Sequence, residues 1–398
     1  MAVVETHPVQ YRAALWRRLA RLPGLRPVVY YGSDFSLRGY RDREFGSHLA
    51  WDRPLLEGYE SRILDRQGRT HGVDFWNPRP GPVYRSLCRS GARVVVLNAY
   101  RGSFHLAAWL AAKRLGAGVV MRLEASDEAH GGGFPGLAVK RTLLRFFYGS
   151  YSQFAVTGVA ARRHFQRCGI PPSRMHPSPY GVDTDHLEEE KKRWRPRRNA
   201  LRQRLGVRAG DIVLLFSGKM TFKKNPHLVL QALAALPKPI REKFHLITMG
   251  SGELAQVVDR EGRRLLGRRY HPLGFRNQSE MGEGYASADV LVLPSRRGQG
   301  ETWGLVVNEA LQWGIPAVVS DGVGCREDLV KPGRTGWIFP DNSPTKFAQC
   351  LQTLHGLSPV QRRAMAGRCV GVARRHNLAA ATTGLAAAIR AAAPRSKS

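Results

Sequence analysis

Residues 294–316 read P-S-R-R-G-Q-G-E-T-W-G-L-V-V-N-E-A-L-Q-W-G-I-P, and the fold prediction starts from them. They follow an apolar run at residues 288–293 whose length and β-branched composition are typical of a buried parallel strand. A loop then leads into a predicted helix with Thr302 as its N-cap and Gly304 in its first turn. Strand, loop and helix in this order are the repeating unit of a parallel α/β fold.

Two carboxylates in this stretch, Glu301 and Glu309, are eight residues apart. Glu301 lies in the predicted loop and Glu309 about two turns into the helix, so both side chains can face one cleft. The free backbone N–H groups of Trp303, Gly304 and Leu305 predict an anion site at the positive end of the helix dipole. A carboxylate can bind a ribose diol through two charge-assisted hydrogen bonds. The pattern indicates a sugar-nucleotide site, although an exposed helix without a ligand could carry the same two glutamates.

The strand, the P-S loop and the E-x7-E spacing together resemble the retaining nucleotide-sugar glycosyltransferases of family four, the group 1 glycosyl transferases. The resemblance implies an α/β fold in which two Rossmann-like, doubly wound domains face a cleft, the GT-B type. It implies that Glu301 holds sugar hydroxyls and Glu309 the ribose of a UDP- or GDP-linked hexose, with no cofactor and no metal. The expected acceptor is a glycan or a lipid-linked molecule in the synthesis of envelope polysaccharide, exopolysaccharide or glycoconjugate.

The loop S-G-K-M-T-F-K-K-N-P at residues 217–226 is basic and follows a predicted strand. Lys219 and Lys224 are candidates to neutralise a leaving diphosphate, and Gly218 lets the backbone approach the ligand. The family commonly has Arg at the position of Lys219 and Lys-Gly at the positions of Lys224 and Asn225, so the charge is kept. Lys223 is the neighbour that could be mistaken for Lys224, and in isolation these lysines would be typical of a solvated turn.

Two further segments are candidates for donor binding. G-S-G-E-L at residues 250–254 follows a strand predicted at residues 244–249 and places Gly252 in a phosphate-side or ribose-side loop. By the resemblance, the strand and loop Y-H-P-L-G-F-R-N-Q-S-E at residues 270–280 hold the base. Phe275, Arg276 and Asn277 are therefore candidates for base contacts.

The acceptor side is predicted in the first half of the chain. Arg122, Glu124 and Ser126 lie at the end of a predicted strand at residues 118–123, where open α/β sheets bind ligands, although a solvated loop explains them equally well. His7 and Gln10 stand where many relatives carry a glycine-rich first loop, and they are acceptor-side candidates too. The long irregular segment at residues 32–82 is a further candidate surface.

The chain of 398 residues is long enough for two domains, each with its own core. We predict an acceptor-side Rossmann-like domain at residues 1–186 and a nucleotide-sugar-binding Rossmann-like domain at residues 211–375. Residues 187–210, which contain E-E-E-K-K-R-W-R-P-R-R-N-A-L-R-Q-R, are predicted to be a charged, solvated linker. By the resemblance, the last segment, residues 376–398, is a helix that crosses back to the first domain, followed by a tail.

The formal net charge of +31 predicts attraction to polyanions. No zinc-finger spacing, RNP-like strand or helix-turn-helix pattern accompanies it, so we expect no specific nucleic-acid partner. Basic amphipathic helices are predicted at residues 11–22 and 137–148. Such helices are commonly surface helices packed on a sheet, and contact with an anionic membrane surface is the alternative.

No apolar run reaches the ~18 residues that span a bilayer, and the N-terminus lacks the form of a signal peptide. We therefore expect a cytoplasmic protein, with peripheral attachment to the inner face of the membrane as an alternative. The five cysteines show no metal spacing. Residues 183–185 match the D-x-D pattern of metal-dependent sugar transferases, but Y-G-V-D resembles the exit of a strand into the linker, so we predict no metal there. A sugar-nucleotide epimerase, a sugar phosphorylase and a non-enzymatic basic protein that binds membrane or nucleic acid remain alternatives.

Overall fold

The computed structural model describes residues 1–37, 40–41, 48–49, 52–66, 73–100, 102–124, 127 and 134–394. Within these ranges the chain forms two parallel β-sheets with helices packed against them. Both sheets have the strand order of a Rossmann-like fold, so the predicted fold class, α/β with two doubly wound halves, is confirmed.

The first sheet is built from strands and helices before residue 180. The strands are β1 (Ala2–Glu5), β2 (Val28–Tyr31), β3 (Tyr40–Arg41), β4 (His48–Leu49), β5 (Glu60–Ile63), β6 (Val94–Leu97), β7 (Gly118–Leu123), β8 (Gln153–Val156) and β9 (Met175–Pro177). The helices are α1 (Gln10–Ala20), α2 (Pro80–Cys88), α3 (Ser103–Arg114), α4 (Phe134–Gly149) and α5 (Val159–Arg167). The sheet order is β5-β2-β1-β6-β7-β8-β9, and β3 pairs with β4 apart from it.

The second sheet is built from the later part of the chain. The helices of this part are α6 (Thr184–Trp194), α7 (Arg198–Arg204), α8 (His227–Ala234), α9 (Lys238–Arg241), α10 (Ala255–Leu266), α11 (Gly282–Ser287), α12 (Leu305–Gln312), α13 (Arg326–Leu329), α14 (Pro344–His355) and α15 (Pro359–Arg375), and the last helix, α16 (Leu378–Ala392), packs against the first sheet. Its strands are β10 (Ile212–Ser217), β11 (Phe244–Met249), β12 (Tyr270–Gly274), β13 (Val290–Leu293), β14 (Ala317–Ser320) and β15 (Gly336–Phe339). The sheet order is β12-β11-β10-β13-β14-β15.

Most central strands are buried along their whole length. All residues of β1, β6, β10, β11, β13 and β14 are buried. Parallel strands covered on both faces need such continuous apolar runs, and this is why β7 and β11 match the strands predicted from composition residue for residue. In each sheet the strand order reverses beside the first strand, between β1 and β6 and between β10 and β13. These switch points are where open α/β sheets bind ligands.

The basic helices are surface helices, each with one side in a core. Helix α1 begins at Gln10 and packs its buried side against α16, with Trp16 and Leu19 in one cluster with Leu385 and Ile389. Helix α16 lies against the first sheet, where the Ser178 hydroxyl donates to the Ala381 carbonyl at 2.8 Å. Among the described residues, no helix is both long enough and apolar enough to cross a membrane.

The charged run at residues 188–204 is not the solvated linker that its composition predicts. It forms most of α6 and all of α7, which pack against α11. Arg198 and Arg202 both bind the carboxylate of Asp289, with N–O distances of 2.5 and 2.8 Å. Lys191 is buried and paired with Glu188. Charge composition alone misses these partners because Asp289 lies about ninety residues further along the chain.

The two halves also make polar contacts beside the cleft. The backbone N–H of Val159, at the start of α5, donates to the Asp328 carboxylate at 3.1 Å. Arg163 in α5 forms a bidentate pair with Glu327, and the shorter N–O distance is 2.7 Å. These contacts join the first half directly to α13 of the second half and so bring the two sheets' ligand-binding edges together.

Candidate active site

Side chains from both halves line a cavity of about 240 Å³ between the two sheets. The second half contributes the carboxyl ends of β10 and β11 and the segment after β12, together with α12. The first half contributes the start of α1. The site-defining lining residues are Gln10, Tyr11, Arg17, Ser217, Gly218, Gly250, Phe275, Arg276, Tyr285, Leu305 and Glu309.

Glu301 is buried and forms an ion pair with the half-buried Lys224. Neither residue lines the cavity, but a Cβ atom at the lining residue Gly218 would lie 3.9 Å from the Lys224 side chain. Ser295 donates to the same Glu301 oxygen at 3.1 Å. Burial alone would raise the pKa of Glu301, but the ammonium groups of Lys224 and Lys223 outweigh burial and lower it. Lys223 instead donates to the carbonyl of Gly300 at 2.8 Å. The two neighbouring lysines therefore have different partners: Lys224 pairs with the Glu301 carboxylate, and Lys223 binds a backbone carbonyl.

Glu309 lies on the cavity wall and is held by a tyrosine. Tyr285 donates its hydroxyl to a Glu309 carboxylate oxygen at 2.5 Å. Burial raises the pKa of Glu309 to about 7, and the Tyr285 hydrogen bond opposes this only in part. The sequence analysis missed Tyr285, since it lies in α11, 24 residues before its partner.

The helix that carries Glu309 begins later than predicted. Thr302 does not cap it, and Gly304 occupies the N-cap position with a left-handed φ of 101°. A Cβ atom at Gly304 would lie 3.0 Å from Leu293, so the position requires glycine on two counts. The Thr302 hydroxyl instead donates to Glu124 at 3.0 Å across the cleft. Glu309 is therefore the fifth residue of α12, little more than one turn from its start.

The N–H groups of Trp303, Gly304 and Leu305 donate no hydrogen bond that the described part of the chain shows. They remain candidates for an anion, and Leu305 also lines the cavity. The Trp303 side chain serves the core instead. Its indole N–H donates to Asn308 at 2.7 Å, and its ring lies 5.7 Å from that of Tyr180.

The two glycine loops lie against each other at the carboxyl ends of β10 and β11. Gly218 lines the cavity with φ of 150°. A Cβ atom at Gly250 would lie 1.9 Å from the Gly218 carbonyl oxygen, so the close approach needs glycine there. Gly250 lines the cavity and was missed, whereas the predicted Gly252 does not line it. Lys219 follows Gly218 and is half-buried.

Of the three candidates for base contacts, Phe275 and Arg276 line the cavity and Asn277 does not. The Asn277 side chain accepts from the Gln278 backbone N–H at 3.0 Å, and the backbone N–H of Asn277 donates to the Glu280 carboxylate at 3.3 Å. It caps the short 3-10 turn at Gln278–Glu280. The side chain is therefore used within its own loop.

The acceptor-side candidates Arg122 and Glu124 lie in a network of charged and polar side chains. Arg12 binds Glu5 at 2.6 Å and lies 3.8 Å from Glu124. Glu124 also accepts from the Tyr180 hydroxyl. Arg122 lies 5.0 Å from the centre of the Tyr180 ring. The sequence analysis missed Glu5, Arg12 and Tyr180, since only the fold brings them to one edge of the sheet.

Two other acceptor-side candidates differ in position. Gln10 lines the cavity, and its buried Oε1 has no hydrogen-bond partner among the described residues. His7 packs against Phe35 with ring centres 4.6 Å apart, and burial, followed by the charge of Arg12, lowers its pKa to about 4. Ser126 lies outside the described residues, as do residues 38–39, 42–47, 50–51 and 67–72 of the candidate segment 32–82. Of the described part of that segment, Arg53 and Leu55 line the cavity.

Asp183 in the D-T-D sequence caps α6. Its carboxylate accepts from the His186 N–H at 3.4 Å and lies 3.8 Å from Arg17. Among the described residues no group of three or more His, Cys, Asp and Glu side chains could hold a metal ion. That no metal is needed stays a prediction.

Residues 197–365 match the family model described as glycosyl transferases group 1. A D-inositol 3-phosphate glycosyltransferase of Xylanimonas cellulosilytica is 30% identical over 195 residues, which are 47% of this chain and 44% of that protein. An uncharacterized glycosyltransferase of Methanocaldococcus jannaschii is 32% identical over 35% of each chain. The matched region thus spans less than half the length of these curated relatives.

Solved structures match along nearly the whole chain. Anabaena Alr3699/HepE, solved with UDP and glucose, superposes with a TM-score of 0.68 and 16% identity over 98% of this chain and 99% of that one. WaaG, a glycosyltransferase of lipopolysaccharide biosynthesis, superposes with a TM-score of 0.65 and 18% identity over 98% of this chain and 99% of that one. At these identities the likeness concerns the fold, which is of GT-B type. The chain therefore carries, at residues 197–365, a domain of the glycosyl transferases group 1 family within a GT-B fold.

Proposed function

We propose that this protein is a retaining, metal-independent glycosyltransferase that moves a hexose from a UDP- or GDP-linked donor to a glycan or lipid-linked acceptor. The observation that carries the proposal is the cavity between the sheets, with Glu309 and the start of α12 on its wall and Lys224, the partner of Glu301, next to the lining residue Gly218. The structure of Alr3699/HepE with UDP-glucose supports a nucleotide-sugar donor on this fold. The retaining outcome and the lack of a metal requirement rest on the family resemblance.

The leaving diphosphate would be bound at the start of α12. The N–H groups of Trp303, Gly304 and Leu305 can donate to phosphate oxygens at the positive end of the helix. Lys224 and Lys219 would add positive charge as the sugar–phosphate bond breaks and charge grows on the diphosphate. Stabilising that charge lowers the barrier without any group having to form a covalent intermediate.

The two carboxylates would hold the donor's hydroxyl groups. Glu301 has a lowered pKa, so it is ionised at neutral pH and can accept hydrogen bonds from the transferred hexose. Glu309 would accept from the ribose diol. With Phe275 and Arg276 on the cavity wall for the base, these groups would fix the donor from the base to the sugar.

The acceptor would enter from the first half. Gln10 lines the cavity, and Glu124 reaches across to Thr302, so both are placed to contact a molecule that approaches the bound hexose. The pathway we propose is polysaccharide or glycoconjugate synthesis, in the cytoplasm or at the inner face of the membrane, with no specific nucleic-acid partner. Neither a sugar-nucleotide epimerase nor a non-enzymatic basic protein appears among the relatives named above.

Thermal unfolding in EDTA with UDP, GDP, ADP and their hexose conjugates tests the proposal. A ligand at a hundredfold its dissociation constant should stabilise the native state by about 2.7 kcal/mol. We expect one nucleotide series to raise the melting temperature of the wild type and to lose this effect in Glu309→Ala. No shift with any nucleotide sugar, with or without added Mg²⁺, would contradict the proposed donor site.

A further inference from the structure

Exposed apolar side chains are concentrated on one side of the first half. Among the described residues eleven large hydrophobic side chains are exposed, and eight of them lie in residues 73–76, α3 and α4. Scattered exposed hydrophobic residues are normal on soluble proteins, whereas a contiguous group marks an interaction site. The eight are Val73, Phe75, Trp76, Leu106, Leu110, Val139, Leu143 and Phe146.

Helix α4 carries an apolar stripe that faces solvent. Val139, Leu143 and Phe146 are 64, 66 and 77% exposed. Their spacing of four and three residues places them on one face of the helix. Leu144 and Tyr148, on another face, belong to the core of the first half. Helix α4 therefore has apolar side chains both in the core and on part of its exposed surface.

Helix α3 adds a second stripe beside the first. Leu106 and Leu110 are exposed four residues apart, and the exposed Lys113 follows three residues later on the same face. Trp109, next to Leu110, contacts Phe147 of α4 with ring centres 5.8 Å apart. Because Phe147 is in turn the neighbour of Phe146, the two stripes lie on either side of this contact and form one surface.

An aromatic pair extends the surface at the start of α3. The Phe75 carbonyl accepts from the N–H of Ser103, the first residue of α3, at 2.8 Å. The Phe75 and Trp76 rings meet edge to face at 4.8 Å and remain 56 and 68% exposed. Asp74 accepts from the Trp76 N–H at 2.8 Å, so an ordered turn presents the rings. We call these eight residues the apolar surface.

Charge decides between the partners that such a surface could have. The chain has a net charge of +31, and Lys113, Arg114 and Arg145 are exposed on the same two helices. A second copy would bring the same excess of positive charge, which opposes association. On an anionic lipid bilayer, the apolar stripes can contact acyl chains, and the tryptophan and phenylalanine rings can lie at the membrane–water interface. The basic residues can bind the negative headgroups.

We propose that the apolar surface docks the protein on an anionic lipid bilayer. Helices α3 and α4 follow β6 and β7, so their first residues lie at the carboxyl edge of the sheet, the edge that faces the cleft. Leu106, near the start of α3, lies toward that edge, whereas Leu143 and Phe146 lie toward the end of α4. Delivery of a lipid-linked acceptor rests on the proposed function, whereas docking itself does not.

Co-sedimentation with vesicles of phosphatidylcholine, with and without phosphatidylglycerol, tests the proposal. We expect the wild type to bind only the vesicles that contain phosphatidylglycerol, and binding to weaken as NaCl screens the charges. In Leu143→Ser/Phe146→Ser, partitioning should fall by roughly tenfold or more, because two apolar side chains are lost from the buried contact. Trp76→Ala should show a smaller loss.

Val360→Ser is the matched control, since Val360 is 65% exposed on α15 of the second half. It should bind vesicles like the wild type. Equal vesicle binding by the wild type and the double variant, or no binding by the wild type, overturns the proposal. So does a wild-type dimer in sedimentation velocity that the double variant dissociates, because the surface would then be a self-interface. Nucleotide binding measured on the same variants should not change, which separates failure of docking from failure of the donor site.

Discussion

Glu301 and Glu309, in the second half, each have a carboxylate oxygen engaged by a neighbouring side chain. Across the cleft, the first half leaves buried polar atoms without partners among the described residues, namely Gln10 Oε1, Arg12 Nε, Asn98 Oδ1 and Arg122 Nε, and in the second half Arg276 Nε is in the same state. Buried polar atoms normally have hydrogen-bond partners, so unpartnered atoms call for a ligand or water. The two carboxylates proposed to bind the donor are thus held by protein side chains, whereas Arg276 and the first-half atoms still need a partner.

The two sides also differ in whether their contacts cross the cleft. The partners of Glu301 and Glu309, namely Ser295, Lys224 and Tyr285, all lie in the second half. On the other side, Glu5 binds Asn98 at 3.1 Å, and Glu124 binds Thr302, 178 residues away. A change on the donor side should therefore act on one step, and a change on the acceptor side should spread through a network.

The largest expected effect is the loss of the Glu301–Lys224 pair. Lys224→Ala and Glu301→Ala should each lower kcat by roughly 10² or more, since each removes a group proposed to act on the donor in the transition state. Lys223→Ala is the matched control, because Lys223 binds only the Gly300 carbonyl in the described structure. We expect a much smaller loss there, measured as release of nucleoside diphosphate. Equal losses at both lysines would contradict the distinct role of Lys224.

Gly304→Ala should weaken the start of α12. Its φ of 101° and the 3.0 Å approach to Leu293 predict a loss of unfolding free energy of about 1–2 kcal/mol or more. Gly367→Ala, in the middle of α15 with open space around it, should have the opposite sign, a gain of about 0.5–1 kcal/mol. Urea unfolding curves measure both. A neutral Gly304→Ala would contradict the tight N-cap geometry.

Donor binding should depend on pH through Glu309. Its pKa is raised to about 7, so the native state keeps a proton that the unfolded state loses, and this group's contribution to stability falls as the pH rises toward 7. A ribose diol prefers the ionised carboxylate. As the pH rises toward 7, the nucleotide's dissociation constant should therefore fall by up to about tenfold per pH unit, and above pH 7 it should level off. Calorimetric titration at several pH values measures this. Glu309→Gln should bind more weakly with a flatter profile, and an unchanged slope in it would assign the titration elsewhere.

The smallest effect is expected for the contact between the two sides. Thr302→Val removes one hydrogen bond to Glu124, which is worth about 0.5–1.5 kcal/mol. Because Thr302 faces the acceptor side, KM for the acceptor should rise several-fold while the donor's dissociation constant stays the same. Thr302→Ser keeps the hydroxyl and should restore KM. A change in donor affinity alone would place this contact on the donor side.

The sequence predicts what is local in the chain. Strand β11 and the loop with Glu301 were recognised because continuous apolar runs and the E-x7-E spacing lie within single units. Thr302 was misassigned as an N-cap because its hydroxyl has a partner from the other half. The run at residues 188–204 was misassigned because Asp289, which neutralises two of its arginines, is distant in sequence. Tyr285 and Arg12 were missed for the same reason.

The ion pair of Lys224 and Glu301 also bears on selectivity. In the structure the two charges cancel each other in a buried place, and separating such a pair leaves an unpaired buried charge, which costs about 3–5 kcal/mol. A ligand that brings both a diphosphate for the ammonium and hydroxyl groups for the carboxylate replaces both partners at once. Inorganic phosphate or a free hexose can replace only one. Under the proposed function, the pair would therefore disfavour the binding of donor fragments relative to the whole donor molecule.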